Sequence, residues 1–244
     1  PTVTPIKPTG ENVTSTDIQG KVQEGTPVFT EGDKRVPIEI TDKKPAKFIV
    51  GGKEVDVTEI PATKEGKEVG KYTLDKNTGK VTFTPNKDFI GTPDSATVQV
   101  QDKNGTPATA TYTPTVTEVV PTAKESETKD IQGAVQKSPV VFDVKDEEDK
   151  STVNFDRGDE RVELNKSTLT LVNAAGEKVN EVVIANEGKY VLKDGVIEFT
   201  PEKQFVGKAT SVTVQVEDVN GKVATTKYTP EVVGVQPTAT PAET

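Results

Sequence analysis

The stretch Phe83-Thr84-Pro85-Asn86-Lys87-Asp88-Phe89-Ile90-Gly91 is met again as Phe199-Thr200-Pro201-Glu202-Lys203-Gln204-Phe205-Val206-Gly207, an offset of 199 − 83 = 116 residues. At the same offset Thr97-Val98-Gln99-Val100 returns as Thr213-Val214-Gln215-Val216, and Tyr112-Thr113-Pro114 as Tyr228-Thr229-Pro230. Asp102-x-Asn104-Gly105 likewise returns as Asp218-x-Asn220-Gly221. Near the start, Asp17-Ile18-Gln19-Gly20 pairs with Asp130-Ile131-Gln132-Gly133, 113 residues on. Self-similarity at one long period is the signature of a tandem repeat. The expected organisation is therefore a repeat over 1–116, a second over 117–233 and a Pro/Thr-rich linker or tail over 234–244.

Each repeat reads as β structure. Lys80–Thr84 and Ala96–Gln101 alternate apolar and polar residues and are rich in β-branched side chains, the period-2 pattern of half-buried strands. Asp102-Lys103-Asn104-Gly105 predicts a hairpin with a two-residue Asn-Gly turn. Asp75–Gly79 and Lys193-Asp194-Gly195 fall at equivalent turns, the second two residues shorter. No window keeps a helical period. Short strands with frequent turn signals predict an all-β protein: two tandem antiparallel, Ig-like β-sandwiches forming an elongated rod. Phe83/Phe199, Phe89/Phe205, Tyr72/Tyr190 and Tyr112/Tyr228 recur at matching places and are expected to anchor the two cores.

Composition narrows the function. The 244 residues contain no Cys, Met, Trp or His. Without His and Cys the common nucleophile–base pairs, thiolate chemistry and most zinc sites are excluded, so no enzyme and no cofactor are expected. Disulfide stapling is also excluded, leaving packing to supply stability. A net charge of −9 disfavours nucleic acid and anionic membranes as partners. No apolar run is long enough to span a bilayer and no signal peptide is present, so the chain reads as a segment of a longer protein.

The order Asp-Ile-Gln-Gly, Phe-Thr-Pro-x-Lys-x-Phe-x-Gly, Val-x-Asp-x-Asn-Gly and Tyr-Thr-Pro, with a Pro-Thr linker between copies, resembles the CshA-type fibril repeat of Gram-positive surface adhesins. The match covers both units nearly end to end, more loosely over 141–154 and 166–188. The resemblance implies an extracellular, cell-wall-anchored parent whose repeats form a stalk carrying an adhesive head. Its partners would be neighbouring repeats of the same chain and, through the parent adhesin, a host matrix protein or a bacterial surface. The segment itself is expected to be a monomer. An alternative reading gives the repeats themselves a matrix or bacterial ligand.

One tripeptide tests that alternative. Arg157-Gly158-Asp159 spells the integrin-recognition sequence, which makes these three the candidate binding residues. Yet Phe155-Asp156-Arg157-Gly158-Asp159-Glu160-Arg161-Val162 has a counterpart in Phe29-Thr30-Glu31-Gly32-Asp33-Lys34-Arg35-Val36. The shared frame is Phe-x-x-Gly-Asp-x-Arg-Val, expected to be a turn in which Gly takes φ > 0 and Asp bonds nearby backbone. Only Arg157 is new, standing where Glu31 stands in the first repeat. Between the flanking motifs the second repeat carries about 13 extra residues, roughly Val141–Asn154, including Asp143, Asp146, Glu147, Glu148 and Asp149. They lack the ligand spacing of a calcium loop and are expected to form a solvated acidic loop, not a metal site. No spacing identifies a Lys–Asn or Lys–Asp cross-link. The sequons Asn12-Val13-Thr14 and Asn165-Lys166-Ser167 carry no expectation in a bacterial protein.

Overall fold

A computed structural model describes residues 2, 3, 5–145 and 149–239. Asp146, Glu147 and Glu148 of the acidic stretch, and the last five residues of the tail, lie outside the described residues. The chain divides into two compact units, Pro1–Glu118 and Val119–Thr244.

The first unit contains β1 (Thr9–Glu11), β2 (Val13–Ile18), β3 (Gln23–Gly25), β4 (Val28–Thr30), β5 (Ile38–Glu39) and β6 (Lys47–Val50). It continues with β7 (Lys53–Val55), β8 (Glu59–Lys64), β9 (Lys67–Leu74), β10 (Val81–Pro85), β11 (Ala96–Asp102) and β12 (Pro107–Thr117). Two sheets face each other, ordered β3-β10-β9-β8 and β2-β12-β11-β6-β7, with β1-β4 as a separate ribbon. The second unit contains β13 (Thr122–Lys124), β14 (Ser126–Ile131), β15 (Gln136–Phe142), β16 (Val153–Asp156), β17 (Leu164–Val172) and β18 (Lys178–Val179). It ends with β19 (Glu181–Ile184), β20 (Gly188–Lys193), β21 (Val196–Pro201), β22 (Gly207–Lys208), β23 (Val212–Asp218) and β24 (Val223–Val233). Its sheets are β13-β16-β15-β21-β20-β19 and β14-β24-β23-β17-β18. Both units are all-β sandwiches.

Alternation along the strands supplies the core. In β11 and β23 every second residue is buried, so Val98, Val100, Val214 and Val216 point between the sheets. Phe83, Phe199 and the four tyrosines are at most 1% exposed, and Phe89 and Phe205 pack on the core rim. Each core stacks its aromatics alike: Tyr72 lies 5.3 Å from Phe83 and 6.3 Å from Tyr112, Tyr190 4.7 Å from Phe199 and 5.9 Å from Tyr228. Buried phenols need partners. Tyr72 and Tyr190 donate to the carbonyls of Asp94 and Thr210. The Tyr112 hydroxyl meets Ser15, which donates to Gln23, whose amide donates to the Thr115 carbonyl. Tyr228, Thr128, Gln136 and the Glu231 carbonyl repeat that relay.

Three details depart from the sequence reading. The sheets are not wholly antiparallel: β2 runs parallel to β12, β14 to β24, and β15 to β16. Periodicity reports a strand's faces and says nothing of its partner's direction. The Asp-x-Asn-Gly turn is also not a two-residue loop. Asp102 Oδ1 accepts the amides of Asn104 and Thr106, and Gly105 N bonds Asp102 O, giving a four-residue connection with Gly105 at φ +85°. Asp218 builds the same turn from Asn220 and Lys222. A two-residue turn exists instead at Asp194-Gly195, where both φ values are positive (52° and 73°), as a type I′ turn requires. Finally, the extra residues of the second unit are not all loop. They lengthen β15 to Phe142 and begin β16, the equivalent of β4; β16 pairs with β15 and so joins β13 to the main sheet, whereas β1-β4 stays apart.

Candidate functional site

The Gly-Asp turn follows β4 in one unit and β16 in the other, on the side where the chain leads into that unit. Antiparallel pairing sets Gly10 opposite Phe29 and Ala123 opposite Phe155. Just before these strands, the lead-in segments cross over the turn. A Cβ on Gly32 would stand 2.6 Å from Lys7 O and 2.7 Å from Ile6 Cγ2; on Gly158 it would stand 2.4 Å from Val120 O. Only Gly158 takes a left-handed φ, +75°; at Gly32 the requirement is space alone. Glycine is therefore fixed at both turns by what lies on top of it.

The aspartate of each turn is equally occupied. Asp33 Oδ1 accepts Arg35 N at 2.9 Å and Arg35 Nε at 2.9 Å, and Oδ2 accepts Nη2 at 2.9 Å. Hydrogen bonds from the Arg35 guanidinium hold the Asp33 carboxyl well below the usual carboxylate range. Asp159 repeats the fork with Arg161, at 2.9 Å to N, 3.2 Å to Nε and 3.4 Å to Nη2. The backbone closes each turn, Val36 N onto Asp33 O and Val162 N onto Asp159 O.

Arg157 is held mainly by two acids that the first unit lacks, Asp143 and Glu163. Its Nε lies 3.0 Å from Asp143 Oδ2, its Nη1 2.5 Å from Glu163 Oε1 and 3.1 Å from the Glu160 carbonyl, and its backbone N donates to Asp143 Oδ1. The side chain is 27% exposed. Asp143 lies in the additional stretch, just after β15, at φ +55°. The arginine and its principal acid thus arrive in the second unit together. Beside them Lys145 bonds Asp156, whose carboxyl is held low by that contact and by the Gly158 amide. Arg157, Gly158 and Asp159 are adjacent in space as in sequence, but each is engaged inside its own unit.

The sequence reading missed Glu163 as a partner of Arg157 and missed the lead-in segments altogether. The second had a visible signal: Ile6-Lys7-Pro8-Thr9 recurs as Val119-Val120-Pro121-Thr122. Among the described residues no three acidic side chains converge as a cation site, no lysine is buried, and no helix is long and apolar enough to cross a membrane.

One family, described as "Surface adhesin CshA repetitive domain", matches residues 5–116 and again 118–232. No curated protein matches the chain. Solved structures similar to it include the protocadherin GammaB4 extracellular domain (14% identity, TM-score 0.34, 93% of this chain and 32% of that one). Mouse Cadherin-23 EC22-24 (12%, 0.31, 94% and 65%) and murine CEACAM1b (12%, 0.26, 94% and 100%) are also similar. The chain spans about a third of the first of these and just under two thirds of the second.

Proposed function

We propose, from the premise that this chain belongs to the surface adhesin CshA repetitive-domain family, that its two units are spacers in the stalk of a cell-wall-anchored Gram-positive adhesin. The chain is a surface-adhesin repeat region, and its work in this reading is geometric: it adds length and carries an adhesive head outward. The observation that carries the reading is the parallel pairing of β2 with β12, and of β14 with β24, over six residues each. An early strand and the last strand that run side by side in one direction bring the chain in at one end of the unit and out at the other. Such a path suits a chain of units in series. The eleven residues of β12 span about 36 Å at ~3.3 Å per residue. Candidate residues engaged within their own unit, and divergent loops on recurrent strands, fit a non-enzymatic spacer.

Small-angle scattering tests this. A single compact globule of this length has a radius of gyration of about 18 Å. The expected value for the chain lies well above that, with the scattering profile of a rod. A value near 18 Å overturns the stalk reading.

A further inference from the structure

The lead-in segment alternates strictly. Ile6 is half-buried, Pro8 buried and Gly10 half-buried, whereas Lys7 and Thr9 are exposed. Val119 is buried at 6% exposure, Pro121 is buried and Ala123 is half-buried, whereas Val120 and Thr122 are exposed. Every second residue of the pattern Ile/Val-x-Pro-Thr-Gly/Ala therefore enters its own unit, the period of an extended strand. What receives it is the Gly-Asp turn and the phenylalanine before it. The Val119 side chain comes 3.5 Å from the Cβ position of Gly158, and Phe29 and Phe155 lie opposite the fifth residue.

The pattern occurs a third time. Val235-Gln236-Pro237-Thr238-Ala239 follows Val119 by 235 − 119 = 116 residues, as Val119 follows Ile6 by 119 − 6 = 113. All five residues are exposed, and Val235 stands at 55% where Val119 stands at 6%.

We propose that this turn is a binding site for an extended Ile/Val-x-Pro-Thr-Gly/Ala peptide, and that Val235–Ala239 is a ligand for it. A second copy of this chain receives that ligand at Phe29–Val36 when its own Ile6–Gly10 is removed. Proline suits the role: it stiffens the segment before docking, lowering the ordering cost. Docking of one copy's tail on the first unit of the next is a heterologous contact and yields head-to-tail association. The inference rests on the contacts at the turn and stands whether or not the units serve as spacers.

The test uses the chain lacking residues 1–10, with both turns and the second unit intact. Its sedimentation coefficient is expected to rise with concentration, while the full chain stays monomeric. Adding Val235→Asp and Pro237→Ser to the shortened chain is expected to restore the monomer. A shortened chain that keeps both melting transitions and stays monomeric at millimolar concentration overturns the proposal, as does association that survives the double substitution. If the first unit loses its melting transition, a peptide of residues 233–239 is titrated instead. Recovery of that transition supports the site, and no recovery overturns it.

Discussion

Gly158 answers to two constraints at once, a φ of +75° and a Val120 carbonyl 2.4 Å from where a Cβ would stand. Gly158→Ala is therefore expected to lower the stability of the second unit by roughly 1–3 kcal/mol, read as a fall of several degrees in that unit's melting temperature alone. The neighbouring arginine behaves differently. Arg157→Ala and Asp143→Ala are each expected to cost about 1 kcal/mol, and the double variant less than their sum, since the guanidinium–carboxylate contact is common to both. Additive losses in a double-mutant cycle would show that Arg157 is held mainly by Glu163. The Arg-Gly-Asp spelling was legible as a repeat frame because Gly32-Asp33 stands in the other copy. The partner of Arg157 was not, because Asp143 lies fourteen residues away across a stretch with no counterpart to align it.

At the scale of the element, the Asp-x-Asn-Gly turns show how a strand ends. Asp102 and Asp218 are buried at 1% and 2% exposure, and one carboxylate oxygen of each takes two amides of its turn. Asp218→Ala strips both amides of their acceptor and is expected to cost roughly 1–3 kcal/mol. Asp218→Asn keeps an acceptor oxygen and is expected to cost less. Chemical denaturation of the three chains checks the order, and an asparagine variant as unstable as the alanine one would mean the negative charge itself is required. The existence of these strands and turns was legible from alternation and turn residues. The four-residue length was not, because it depends on which backbone groups a buried side chain captures. The merging of β13 into the main sheet was equally hidden, since it follows from β15 and β16 pairing in parallel.

Across the whole molecule the four tyrosines link stability to alkaline pH. Burial raises all four phenols above their ordinary value of 10.0, with Tyr228 pushed up to about 12. A group whose folded value is raised contributes fully below the unfolded value and loses that contribution as pH climbs through the folded one. Stability is thus expected to hold to about pH 10 and to fall between 10 and 12, by an amount on the order of 2 kcal/mol for Tyr228. Ultraviolet titration should show tyrosinate appearing together with loss of the fold; ionisation at pH 10 in the folded chain would contradict the burial. On the acid side the effect is small, because Asp33 and Asp156, both held low by their cationic neighbours, lie at the surface. The duplicate architecture was legible from recurrence at 116 residues, and the anchoring aromatics from their matching positions. The direction in which β2 pairs with β12, and β14 with β24, was not, and it has a mechanical consequence. Tension applied between the two ends of a unit would draw β2 and β12 past each other lengthwise, so the hydrogen bonds of six residue pairs bear the load together. A hairpin such as β11–β12, pulled at its open end, would release its bonds one after another. Each unit is thus built to resist force applied between its own point of entry and its own point of exit.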